Sequence, residues 1–149
     1  MADFWPQETG AIFDAGSYIL PCYPDDTISE LSSVKVGTTA SGRISVTVSA
    51  AMGDGIGVAL KAATSAGVPS RIPVLFYGAV KVTTSGTGYN AFAGSYAMNS
   101  ITTTFCALGG AQDFADLSVG GGASHHMGMF LQTAASVGDS VVLLVGKCI

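Results

Sequence analysis

The side chains able to do chemistry in this sequence are few, and none of them stands in a working set. His125 and His126 are adjacent in the run GGGASHHMG. On a strand, neighbouring side chains point to opposite faces, so the two rings would not share a metal ion, and no Cys, Asp or Glu follows at ligand spacing. No GxSxG elbow offers either histidine a nucleophilic serine. Gly53-Asp54-Gly55-Ile56-Gly57 is glycine-rich, but a phosphate loop needs GxxxxGK[ST], and a dinucleotide fingerprint needs a third glycine inside a strand-helix unit. The segment reads instead as a tight turn opening a strand. Asp25 and Asp26, with Glu30 nearby, lack the alternating oxygen ligands and terminal bidentate glutamate of a calcium loop, and read as a solvated turn. Cys22, Cys106 and Cys148 are odd in number, widely spaced and outside any CxxC pattern, so they read as reduced thiols with no disulfide among them. The expectation is a protein that is not an enzyme, with no catalytic residue, no metal site and no cofactor.

The aromatic residues point elsewhere. Phe4 and Trp5 precede Pro6 in a segment, residues 1–10, that has neither helical nor strand periodicity and reads as an arm. Such an arm has no core of its own, so Trp5 either caps its own barrel or docks on a neighbour. Trp and Tyr are the residues that dominate interface hot spots. Phe4, Trp5 and Pro6, with Tyr89 and Tyr96 from the glycine-rich stretch 84–100, are the candidate protein-interface residues.

Composition bounds the class. The chain has 149 residues, enough for one domain with a sizeable core: the arm 1–10, then a single β domain over 11–149. Hydrophobic residues make up 48% and charged residues only 11%, against about 25% in ordinary soluble domains. A surface that poor in charge is expected to be covered by protein partners. A net charge of -4 and six scattered basic residues argue against nucleic acid, whose phosphates need clustered Lys and Arg. No apolar run approaches the 18 residues of a spanning helix. An outer-membrane barrel of amphipathic strands, which stays formally open, would be small and lacks evident aromatic girdles, so no membrane partner is expected. The start Met-Ala-Asp-Phe-Trp has no basic n-region followed by an apolar stretch, which implies assembly in a cytoplasm.

The elements that must carry these residues are strands. Ile44, Val46 and Val48 alternate with Ser45, Thr47 and Ser49, the period of a half-buried strand. Further β-rich runs lie at 17–23, 72–82, 101–108, 127–131 and 140–145, and Pro73 suits an edge or strand-start position because it cannot donate to a ladder. Only 57–66 has helix-forming composition. An internal repeat then organises the chain. GVALKAATSAG at 57–67 and GMFLQTAASVG at 128–138 share Gly57 with Gly128, Leu60 with Leu131, Ala63 with Ala134, Ser65 with Ser136 and Gly67 with Gly138. Each is followed by an apolar run closing in glycine, at Gly78 and at Gly146. Two similar strand-turn-strand units follow, with Leu60 and Leu131 both expected to face a core. The fold class is all-β: a small antiparallel β-barrel or sandwich with an internal repeat and an extended N-terminal arm.

At this repeat the sequence resembles the capsid decoration, or head-stabilisation (cement), proteins of tailed phages. The resemblance rests on Gly57, Val58, Ala59 and Leu60, then Gly67, then Val74, Leu75, Gly78, Ala79 and Val80, and on the step Ala15-Gly16-Ser17-Tyr18-Ile19-Leu20. It implies a virion structural protein that binds the outer surface of an icosahedral shell and stabilises contacts between capsomers. Its implied partners are the major capsid protein and further copies of itself, as a homo-oligomer, often a trimer. A receptor- or glycan-binding β-module of a virion or cell surface is the alternative, favoured if the segment from Tyr89 to Tyr96 forms an exposed aromatic platform.

Fixing one backbone residue costs about 1 to 2 kcal/mol, while burying one large aromatic returns roughly 1.5 to 3 kcal/mol. Phe4 and Trp5 can therefore hold a few residues in place if they enter pockets on a neighbour. Deleting residues 2–8 is expected to leave thermal unfolding of the isolated protein nearly unchanged and to lower its occupancy on shells. Loss of the folded domain, with attachment intact in the surviving fraction, would assign the arm to the core.

Overall fold

The apolar runs become strands of one continuous sheet in the computed structural model, which describes residues 10–12, 16–38, 42–49, 54–84, 93–99, 105–107, 126–136 and 138–146. The strands are β1 (Gly10–Ile12), β2 (Tyr18–Pro24), β3 (Ser33–Val36), β4 (Ser45–Val48), β5 (Gly57–Ala59), β6 (Ile72–Thr83), β7 (Tyr96–Asn99), β8 (Phe105–Ala107), β9 (Gly128–Phe130) and β10 (Ser140–Gly146). The chain is all-β, as its alternation requires, and 57–66 opens with strand β5 where helix composition competed. Pro73 is the second residue of β6, a strand-start position; its carbonyl accepts a bond from the Leu60 amide at 2.9 Å.

Strand order shows two rings. β2, β4, β3, β5 and β6 follow one another, and β2 returns to pair with β6, closing a five-stranded ring. Four of its pairings are antiparallel; β2 with β4 is parallel. From the second half of β6 the order continues through β10, β9, β7 and β8, and a parallel bridge between Thr84 and Phe105 brings the start of β8 back to the end of β6. The second ring thus repeats the first, with β6 serving as the last strand of one and the first strand of the other.

Backbone hydrogen bonds recur at matched places. The amide of Leu31 donates to Ala59 at 2.7 Å, and that of Gly94 donates to Phe130 at 2.8 Å. Ala59 donates back to Ser32, and Phe130 to Ser95, both at 3.0 Å. Ile56 donates to Val34 as Met127 does to Ala97, and Leu60 to Pro73 as Leu131 does to Val142. Gly67 donates to Pro24 at 2.8 Å, and Gly138 to Thr84 at 3.1 Å. The carbonyls of Ser65 and Ser136 each accept the amide three residues on, from Val68 and Asp139, around glycines at φ +68° and +85°. A positive φ at the third position of such a turn is the reason glycine stands there twice. Leu31 and Gly94 also match in conformation, at φ +59° and +85°.

The strand-turn-strand units therefore correspond, but two details of the sequence alignment shift. Ala59 pairs with Val74, and Phe130 with Leu143, which sets Gly146 opposite the place of Tyr77 and not of Gly78. The matching final glycines are a coincidence of composition. Leu60 packs against the core, whereas Leu131 is 39% exposed, because in the second unit the core volume is taken by Phe130 where the first has Ala59.

Each ring has its own core. Cys22, Ile28, Val34, Val46, Ala59, Ala63, Ile72 and Val74 fill the first. Val80, Val82, Ala97, Phe105, Met127, Phe130, Val141, Leu143 and Val145 fill the second, joined by Val58 and Leu75 from the outer face of the first. Each fully buried Val, Leu, Ile, Phe or Met among them contributes roughly 1.5 to 3 kcal/mol. Ser33 links the halves: its hydroxyl lies 3.4 Å from Met127 Sδ and 2.8 Å from Ser49 Oγ, so no buried polar atom there lacks a partner.

Gly57 and Gly128 start equivalent strands and press on the backbone of the partner strand. A Cβ at Gly57 would lie 2.9 Å from the carbonyl oxygen of Leu75, and one at Gly128 would run into that of Leu144. Gly128→Ala should therefore destabilise the fold by about 3 kcal/mol, as overpacking against an unyielding backbone does. Gly94→Ala, with open space around its Cβ and only the positive φ against it, should cost about 1 kcal/mol. Cys22 stands where the second ring has Val82, so Cys22→Val should fold with stability close to the parent. Urea unfolding of the three variants checks all three expectations.

Candidate interaction surface

The interface candidates from sequence fall unevenly on the structure. Phe4, Trp5, Pro6 and Tyr89 lie outside the described residues. Tyr96 opens β7, is 39% exposed, and its ring centroid stands 5.4 Å from that of His126 at a tilt of 46°. His126 thus pairs with an aromatic ring at the surface; His125 lies outside the described residues.

A second aromatic pair is formed by residues far apart in sequence. Tyr18 of β2 stands directly across from Tyr77 of β6, and cross-strand partners carry their side chains on the same face. Both are more than half exposed, at 56% and 53%. On its other side Tyr77 is opposite Gly146, whose missing side chain leaves room for the tyrosine ring: a Cβ there would lie 3.1 Å from Tyr77 Cδ2. The pair sits where one ring hands over to the other. Pattern reading missed it because Tyr77 looks like one member of an apolar run, and only the register of β2 on β6 brings Tyr18 beside it.

A third apolar surface lies at the mouth of the first ring. Val36 and Ile44 are 66% and 56% exposed and border a cavity of about 560 Å³ whose floor includes Leu20, Val46 and Phe76. Ile44 begins the alternating run but lies just before β4, so it turns outward while Val46 is fully buried.

The groups singled out for chemistry hold the fold together. Asp25 accepts the Thr38 amide at 2.8 Å across thirteen residues of sequence, and Asp26 accepts the adjacent Thr27 amide at 2.7 Å. Asp54 pairs with Lys35 at 3.0 Å. Among the described residues no three His, Cys, Asp or Glu converge to hold a metal ion. Cys22 is a free thiol packed in the first core, and burial pushes its pKa up to about 11. It therefore stays protonated and unreactive at neutral pH. The side chain of Cys106 and all of Cys148 lie outside the described residues.

No family model matches the chain, and no curated protein matches its sequence. Among solved structures it is similar to the N base of head fiber gp8.5 from bacteriophage phi29, with a TM-score of 0.59 and 14% identity over 88% of this chain and 95% of that one. The likeness establishes a shared fold.

Tyr18 and Tyr77 are too exposed to contribute much to stability, so Tyr18→Ser with Tyr77→Ser should unfold within about 1 kcal/mol of the parent. If the pair is a contact surface, the same double variant should lose self-association or binding. Denaturant unfolding beside light scattering separates the two effects.

Proposed function

We propose that this chain is a structural protein of a phage virion that acts as a decoration or cement protein on the capsid exterior. Its fold likeness to the base of a phage head fiber carries this reading. A charge content of 11% and tyrosines exposed at the junction of the rings support it, since both suit a surface destined for protein contact. The task is mechanical and non-enzymatic: a homo-oligomer, a trimer on this reading, binds the major capsid protein and adds interface area between capsomers. Several modest contacts per oligomer then combine into tight attachment. The work is done in the assembled virion, after assembly in the host cytoplasm.

A glycan- or receptor-binding role is the second reading, favoured by the exposure of Tyr96 and its contact with His126. Tyrosine faces at a surface can stack on sugar rings as readily as on protein.

Purified protein mixed with emptied capsids of its own virus should co-sediment at a fixed stoichiometry and raise the temperature at which those shells open. Light scattering should give the mass of three chains. Absence of co-sedimentation, together with saturable binding to a glycan array that is lost in Tyr96→Ala, would transfer the function to the second reading.

A further inference from the structure

The two rings match strand for strand, yet one place filled in the second holds no strand in the first among the described residues. In the second ring, β1 lies along the free edge of β6, with Gly10, Ala11 and Ile12 opposite Lys81, Val80 and Ala79. β10 holds the other edge of the same residues. Cys22 matches Val82 and Pro24 matches Thr84, so residues 19–21 of β2 are the counterparts of 79–81. One edge of 19–21 is held by β6. The other faces the gap between β2 and the approach to β4, where no described strand runs.

The groups on that edge follow from alternation. Tyr23 donates its amide to Ile44 across the gap at 2.8 Å, so Pro21 and Ile19 direct their backbone groups the same way. Pro21 lacks an amide hydrogen, which blunts the edge against indiscriminate pairing. The Ile19 amide and the carbonyls of Ile19 and Pro21 remain, and no strand among the described residues pairs with them on this side. On this side a cavity of about 300 Å³ is lined by Pro21 with Leu20, Ile44, Arg43 and Arg71. These are the only two arginines of the sequence. Arg43 stacks over the Tyr23 ring at 5.2 Å, and among the described residues neither arginine has a carboxylate partner.

We propose that residues 19–21 of β2 are an acceptor for one extended strand of a different protein, apolar in its centre and acidic at its flanks, running antiparallel to β2 as β1 does to β6. Among the described residues each copy has two equivalent acceptor edges and one β1, so exchange of β1 among copies leaves one edge per copy without a described strand, and the occupant proposed for it is foreign. The two arginines set the charge of the partner. Main-chain bonding supplies affinity in such strand addition, and flanking side chains supply choice. The inference goes beyond the capsid reading and does not rest on it, since any protein with such a segment would qualify.

The test uses the full chain and a fluorescent, end-capped peptide of residues 8–14, Glu-Thr-Gly-Ala-Ile-Phe-Asp, because its central residues 10–12 pair with the equivalent edge. Saturable one-to-one binding is expected, weakened at least about tenfold by Arg43→Glu with Arg71→Glu at unchanged thermal stability, and abolished by proline in place of the peptide's central alanine. A photo-crosslinker at that alanine should label residues 19–21. Absence of saturable binding, equal binding by the arginine variant, or labelling of residues 79–81 would overturn the proposal. So would binding that appears only when the protein is diluted to monomer, because a second copy would then be the occupant. Loss of capsid co-sedimentation with peptide binding intact would count against the capsid reading alone.

Discussion

Everything in this fold depends on one strand doing two jobs. β6 runs for twelve residues, Ile72–Thr83, and passes from one core into another: Ile72 and Val74 enter the first, Val80 and Val82 the second. Gly78 stands at the change of partners, at φ +132°, where a side chain would be strained and its Cβ would sit 2.7 Å from Ser17 Oγ. Opposite it, β2 shifts register between Tyr18 and Ile19, so the irregularity is shared by both strands. A regular β6 paired with a regular β2 would hold only one of the two rings in register.

Symmetry of this kind leaves a faint trace in sequence for a physical reason. The bonds that recur between the halves join amides to carbonyls, and any residue but proline supplies both. Pro24 and Thr84 show the tolerance: each offers the carbonyl that a turn glycine needs, although only threonine also donates, to Asp139 at 3.0 Å. Leu31 and Gly94 show it again, holding one conformation with very different side chains. Residue type is forced only where a side chain must be absent. Gly57 and Gly128, Gly67 and Gly138 are such places, and they are among the few positions that aligned.

The same reasoning divides what could be read from the chain from what could not. The long runs became β2, β6 and β10 close to their expected bounds, because burial on a core face enforces alternation or continuity over many residues. β1, β3 and β7 were not foreseen: they are three or four residues long, and β3 buries Ser33, whose hydroxyl is matched by Ser49 and not by an apolar pattern. Tyr96 was legible as an exposed aromatic on a glycine-rich stretch. The Tyr18 and Tyr77 pair was not, since nothing local to either residue announces the other. The open edge at residues 19–21 is visible only by comparing the two rings in space.

The joint between the rings is a continuous strand, and this has a mechanical meaning. Tandem modules joined by flexible linkers sample many separations, and they surrender that freedom when both engage a surface. Here the spacer has no length: β6 is paired with β2 on one side of Gly78 and with β1 on the other, and with β10 across it. Equivalent points on the two rings are therefore held at one separation and one angle, like the jaws of a set caliper. A binding surface with two matching points at that spacing meets a body already in the right shape; one with a different spacing can engage only a single jaw.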